Sequence, residues 1–142
     1  MKIGGSEVTN ADIGVLIATV PTQGSLPRNT FVSDVSVTRV SLGSVHTGLM
    51  VSEAASVPPH IEVATKSTRL GAPLTAVPIT GVSFTNVDGT GATLAAGNFT
   101  GAASAQLHVS LSSVSMSGAG FTCSNAVVSG TGVSPALPAS CA

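Results

Sequence analysis

Any chemistry in this chain has to come from three histidines, His46, His60 and His108, six carboxylates and two cysteines. Acid–base or nucleophilic catalysis needs such groups held within hydrogen-bond reach of one another. His60 and Glu62 stand two apart in a strand-like stretch and so would share a face; an exposed edge pair is the ordinary reading. Cys123 as a nucleophile would need a distant histidine, and nothing beside it marks an activated thiol. No Gly-x-Ser-x-Gly elbow, His-Glu-x-x-His helix or phosphate loop occurs. Three histidines so far apart could share a metal only across a fold or a symmetry axis; polar strand positions are the simpler account. Asn86-x-Asp88-Gly89-x-Gly91 has the start of a calcium loop but no bidentate Glu after it, and Asn98-Phe99-Thr100 is a formal glycosylation sequon. The expectation is a non-enzymatic chain with no cofactor, no metal site and no small-molecule substrate.

Cys123 and Cys141 close a segment with two prolines and two glycines. Their spacing suits a disulfide loop and gives only two of the four ligands a structural zinc would want. Two small buried thiols are the alternative, which a reducing compartment would favour.

Composition removes several partner classes. The net charge is −1, and Lys2, Arg28, Arg39, Lys66 and Arg69 are scattered singly, so there is no basic footprint for nucleic acid. Trp and Tyr are absent and there are only four Phe, which leaves little to stack bases or sugars on. The longest apolar run, Ile13 to Val20, is far short of the roughly 20 residues a membrane helix needs. Behind Met1-Lys2 there is no apolar stretch of a secretory signal; either the chain stays in the cytosol or a leader has been removed.

From Gly89 to Ala142 there is no Asp, Glu, Lys or Arg, although Val, Ala and Leu remain abundant. Globular chains carry roughly a quarter charged residues. This part therefore meets water through hydroxyls, as a secreted domain with a Ser/Thr-coated face would, or meets protein instead.

The elements that would position these residues are strands. One pattern recurs: Val35, Val37, Val40, Leu42; then Val77, Ile79, Val82, Phe84; then Val109, Leu111, Val114, Met116. Each is a period-2 alternation whose phase slips by one residue in the middle, which requires a bulge, a bend or a change of sheet. Further strands are expected at Ile13 to Val20, Val45 to Val51, Ile61 to Thr65, Gly91 to Ala96 and Phe121 to Val128, with a helical turn around Ser52 to Val57. Asn86-Val87-Asp88-Gly89 reads as a type I′ hairpin, and Val20 to Asn29 as a long loop or arm. The expected fold is all-β: a single domain over residues 1–142, an antiparallel β-sandwich or barrel of about eight short strands, with extended arms at 1–10 and 130–142. The unequal spacing of the pattern speaks against a fixed-period repeat, so a β-helix or solenoid is the alternative.

Uncharged strands that must be covered suggest a structural subunit of a large assembly, of the kind found at a virion surface: a capsid decoration or cement protein, or a tail component. Its partners would be copies of itself or other structural proteins of a particle, with Leu107, Val109, Leu111, Val114 and Met116 as the candidate interface. The alternative is a secreted or cell-surface β-domain for adhesion or an extracellular matrix.

Overall fold

One residue in the left-handed region makes the phase slip. Arg39 has φ 53°, and this single turn returns Val40 and Leu42 to the side occupied by Val35 and Val37, so that all four are buried. Such a backbone costs a residue other than glycine about 1–2 kcal/mol. The position nevertheless recurs: Gly5, Arg39, Asn86, Ser113 and Gly132 all have positive φ, and strand register stacks them in one column. That column is a corner running along the molecule. Asn10, Ser44 and Gly91 form a second corner column, in which the Asn10 N–H donates to the Gly43 carbonyl and the Ser44 N–H to that of Thr90.

The computed structural model describes residues 1–19, 22–23, 31–53, 74–75, 77–102 and 106–142. Five strands, β1 (Lys2–Thr9), β4 (Val32–Gly43), β7 (Ile79–Ala92), β9 (Leu107–Gly118) and β11 (Ala126–Ser134), form one sheet in that order. A second sheet has β2 (Ile13–Ala18), β5 (Thr47–Ser52), β8 (Ala95–Thr100) and β10 (Phe121–Ser124), again in chain order. Every neighbouring pair in both sheets is parallel. The chain passes alternately from one sheet to the other and so winds as a coil, each rung three-sided because the longer strands bend at the corner. A short antiparallel pair, β3 (Thr22–Gln23) with β6 (Leu74–Thr75), lies outside this coil.

The antiparallel sandwich or barrel is therefore overturned. Inward–outward alternation is the same in parallel and antiparallel strands, so it does not reveal strand direction. Here a strand of the other sheet serves as each crossover. The hairpin at Asn86 to Gly89 is likewise absent: these residues run through the middle of β7. A type I′ turn needs two consecutive positive φ angles, and of the four only Asn86 has one. It bends the strand and does not reverse it.

Unequal spacing concealed the coil. Val37 pairs with Phe84, Phe84 with Leu111 and Leu111 with Gly130, which are separations of 47 (84 − 37), 27 (111 − 84) and 19 (130 − 111). Connections from the first sheet to the second are short, as in Asn10 to Asp12 or Thr93 and Leu94. Returns to the first sheet range from Asn125 alone to the stretch between Ser52 and Ile79. The large length variation is thus collected at one corner. The middle bent pattern also shifts: the residues stacked on Val35, Val37 and Val40 are Val82, Phe84 and Val87. The Ile61 to Thr65 strand, residues 54–57 of the helical turn and most of Val20 to Asn29 lie outside the described residues.

Packing is complementary across the second corner. Gly89 stands between Leu42 and Met116 in the column, and a Cβ there would lie 2.6 Å from Met116 Cε. The absent side chain makes room for the thioether, a group able to fill irregular gaps. Phe99 stacks on Phe121 with ring centroids 6.2 Å apart and meets Phe84 at 6.5 Å.

Candidate functional site

The coil sets Asp12, His46 and Thr93 side by side at the turns leading into β2, β5 and β8. His46 Nδ1 is 2.7 Å from Thr93 Oγ1, and His46 Nε2 is 3.7 Å from Asp12 Oδ1. The order acid, imidazole, hydroxyl is that of a nucleophilic triad, whose acid must hold the ring by a hydrogen bond. At 3.7 Å the Asp12 contact is an ion-pair distance and too long for one. The His46 and Asp12 side chains are 57% and 76% exposed, so bulk water competes for every contact and the low-dielectric surroundings that strengthen catalytic dipoles are missing. The array is suited to linking adjacent turns. Sequence reading missed Asp12 and Thr93 because only the coil register brings them to His46.

Glu53 is the most buried polar side chain described. Its Oε1 accepts the Ile79 N–H at 2.8 Å and its Oε2 the Ala102 N–H at 3.1 Å. Nearby, the buried Thr19 hydroxyl donates to the Val77 carbonyl at 2.6 Å and lies 3.4 Å from that of Glu53. Thr19 and Glu53 follow β2 and β5, Val77 and Ile79 stand where the chain re-enters the coil, and Ala102 follows β8. These two residues therefore satisfy the backbone at the corner from which the long insertions leave. Burying a carboxylate is costly unless it is hydrogen-bonded, and here backbone donors supply the bonds.

Of the remaining residues singled out in sequence, His108 projects outward from β9 and is exposed. His60 and Glu62 lie outside the described residues. Among the described residues no three His, Cys, Asp or Glu are grouped to hold a metal ion, and no helix is long and apolar enough to cross a membrane. Asp88 faces outward and accepts hydrogen bonds from the Ser41 hydroxyl. Cys123 and Cys141 are joined in a disulfide with Cα atoms 5.1 Å apart. It ties a short 3-10 turn, Ala139–Cys141, against β10.

Leu107, Val109, Leu111, Val114 and Met116 all point into the chain's own core and are buried there. Any contact made by β9 with another molecule would use the opposite side of the strand, which presents His108, Ser110, Ser112 and Ser115. Register extends those serines into two hydroxyl files: Ser36, Ser83, Ser110 and Ser129, and beside it Thr38, Thr85, Ser112 and Thr131. Parallel strands lie about 4.8 Å apart, so this face is a regular uncharged array. Ser129 and Ser110 hydroxyls are 3.3 Å apart across it.

Comparison with protein-family models, with curated proteins and with solved structures finds no match for the chain.

Proposed function

We propose that the chain is a non-enzymatic structural subunit of a large assembly, with a virion surface as its setting. The observation that carries this reading is the difference between the two ends of the coil. At the C-terminal end, residues after β11 fold back and bury Cys141 over the last rung. At the other end β1 is an exposed edge, and the core-facing side chains Val8, Val15 and Ile17 are only half-buried. An edge strand with unpaired backbone is a template for association, and repeat architectures require a polar cap to stay soluble. A subunit whose open end is covered in its assembly meets both demands. The open placement of Asp12, His46 and Thr93 supports the non-enzymatic part.

A secreted or cell-surface β-domain is the second reading, favoured by the disulfide, which belongs to oxidising surroundings, and by the hydroxyl files. Fractionating the source organism and tracing this chain by mass spectrometry separates the two. A fixed copy number in a sedimenting particle is expected. Recovery only as free protein in the medium or on the cell envelope would replace the first reading with the second.

A further inference from the structure

We infer that the β1 end of the coil is the contact face of a head-to-head dimer, in which two copies of this chain pair their β1 strands across a two-fold axis. The inference rests on the assembly reading above and names the first partner within it.

Exposure along one inward column marks this end as open. Val37, Phe84 and Leu111 occupy one inward column and are 0%, 0% and 2% exposed, whereas Ile3 in the same column is 37% exposed. Among the described residues no further rung lies over this core-facing side chain. Head-to-tail stacking does not supply that rung, because the tail is closed: Leu137 packs against the core above Gly130, and Cys141, held by its disulfide to Cys123, is buried over the last rung. A second copy can therefore cover Ile3 with its own open end, and an isologous contact of that kind closes at two subunits.

The edge itself is self-complementary. The Ser36 N–H donates to the Met1 carbonyl, and alternation along a strand then turns the backbone groups of Lys2 away from β4, toward the free edge. Ile3 and Ser6 pair with the inward Val37 and Val40, and Lys2 and Glu7 with the outward Ser36 and Ser41. Between them Gly5 makes the corner with φ 65°. The facing order is the same from either direction: outward Lys2, inward Ile3, the Gly4-Gly5 corner, inward Ser6, outward Glu7. A two-fold axis through that corner sets Ile3 against Ser6 of the partner subunit and Lys2 against Glu7 of the partner subunit, twice over. Opposite charges face each other in cross-strand pairs, the favourable arrangement. Gly4 and Gly5 carry no side chain to hold the two backbones apart.

Sedimentation equilibrium on the full 142-residue chain tests this, with thermal melts by circular dichroism to confirm that each variant is folded. The wild-type chain is expected to dimerise and to form no larger species. Lys2→Glu and Glu7→Lys should each weaken the dimer roughly tenfold, since each replaces two attractive pairs with repulsive ones. The double variant, with the charges exchanged, should return to within about threefold of wild type. A wild-type chain that stays monomeric at all concentrations overturns the inference, as does a dimer indifferent to both single substitutions or not restored by the exchange. A monomer that is nevertheless found at fixed copy number in particles would sink the dimer and leave the assembly reading standing.

Discussion

Replacing Glu53 by Gln keeps the side chain's volume and removes one of two acceptors from a place where two backbone donors converge. The carboxylate is buried and takes the Ile79 N–H on one oxygen and the Ala102 N–H on the other. A glutamine amide has a single acceptor oxygen. Whichever way it is turned, one of the two N–H groups faces an NH2. Leaving a buried donor unsatisfied costs about 1–3 kcal/mol, and exchanging the surviving bond to a charged acceptor for a neutral one costs about another 1 kcal/mol. The expected loss is therefore about 2–4 kcal/mol, felt where the chain enters β7 and leaves β8. In a coil whose rungs touch only their neighbours, such a loss stays partly local, and a melting temperature would under-report it. Amide hydrogen exchange by NMR reads it directly. Protection of the Ile79 and Ala102 amides should fall by roughly thirty- to a thousandfold, while the central amides of Leu111 and Val114 change little. If both clamped amides keep their protection within about threefold, the carboxylate is not what satisfies them and the reasoning fails.

Gly89→Ala should cost about 1–3 kcal/mol by pushing into Met116, whose Sδ would lie 2.7 Å from the new methyl. Met116→Ala alone should cost about 2–5 kcal/mol, and in urea titrations the pair should cost at least about 1 kcal/mol less than the sum, because the methyl then enters vacated space. At the first corner Ser113 has φ 53°; Ser113→Gly should be neutral or stabilising by up to about 1 kcal/mol. Ser113→Val should lose about 1–2 kcal/mol, and a valine variant as stable as the glycine one would contradict a left-handed backbone there. Replacing Cys123 and Cys141 by Ser should cost about 3 kcal/mol, with exchange rising first in β10 and β11, the strands next to the bonded cap.

The bend in each long strand was legible because it leaves a one-residue slip in an otherwise regular alternation, as in Val35, Val37, Val40 and Leu42. What the slip could not convey was direction, since parallel and antiparallel strands share the same alternation. Asp88-Gly89 then pulled the reading toward a hairpin, although the residue with the special backbone is Asn86. The period was obscured because one corner absorbs the large length changes. With the register misread, the Asp12, His46 and Thr93 contacts could not be found, and Glu53 looked like part of a helical turn. An alignment by stacked corner residues, Gly5 under Arg39 under Asn86 under Ser113, would have revealed both.

Charge along the chain follows from how each end of the coil is protected. In the charge-free rungs the outward sides of β9 and β11 meet water through Ser110, Ser112, Ser129 and Thr131, and the tail packs on β10 and β11. The open edge β1 carries Lys2 and Glu7 instead. Charges on edge strands ordinarily blunt indiscriminate pairing. One cation and one anion placed symmetrically about a corner act differently from two like charges: a shifted or parallel approach leaves them mismatched, and the two-fold register alone pairs both. The same residues that exclude other edges thus select this one, which is how specificity is obtained from repulsion as well as attraction.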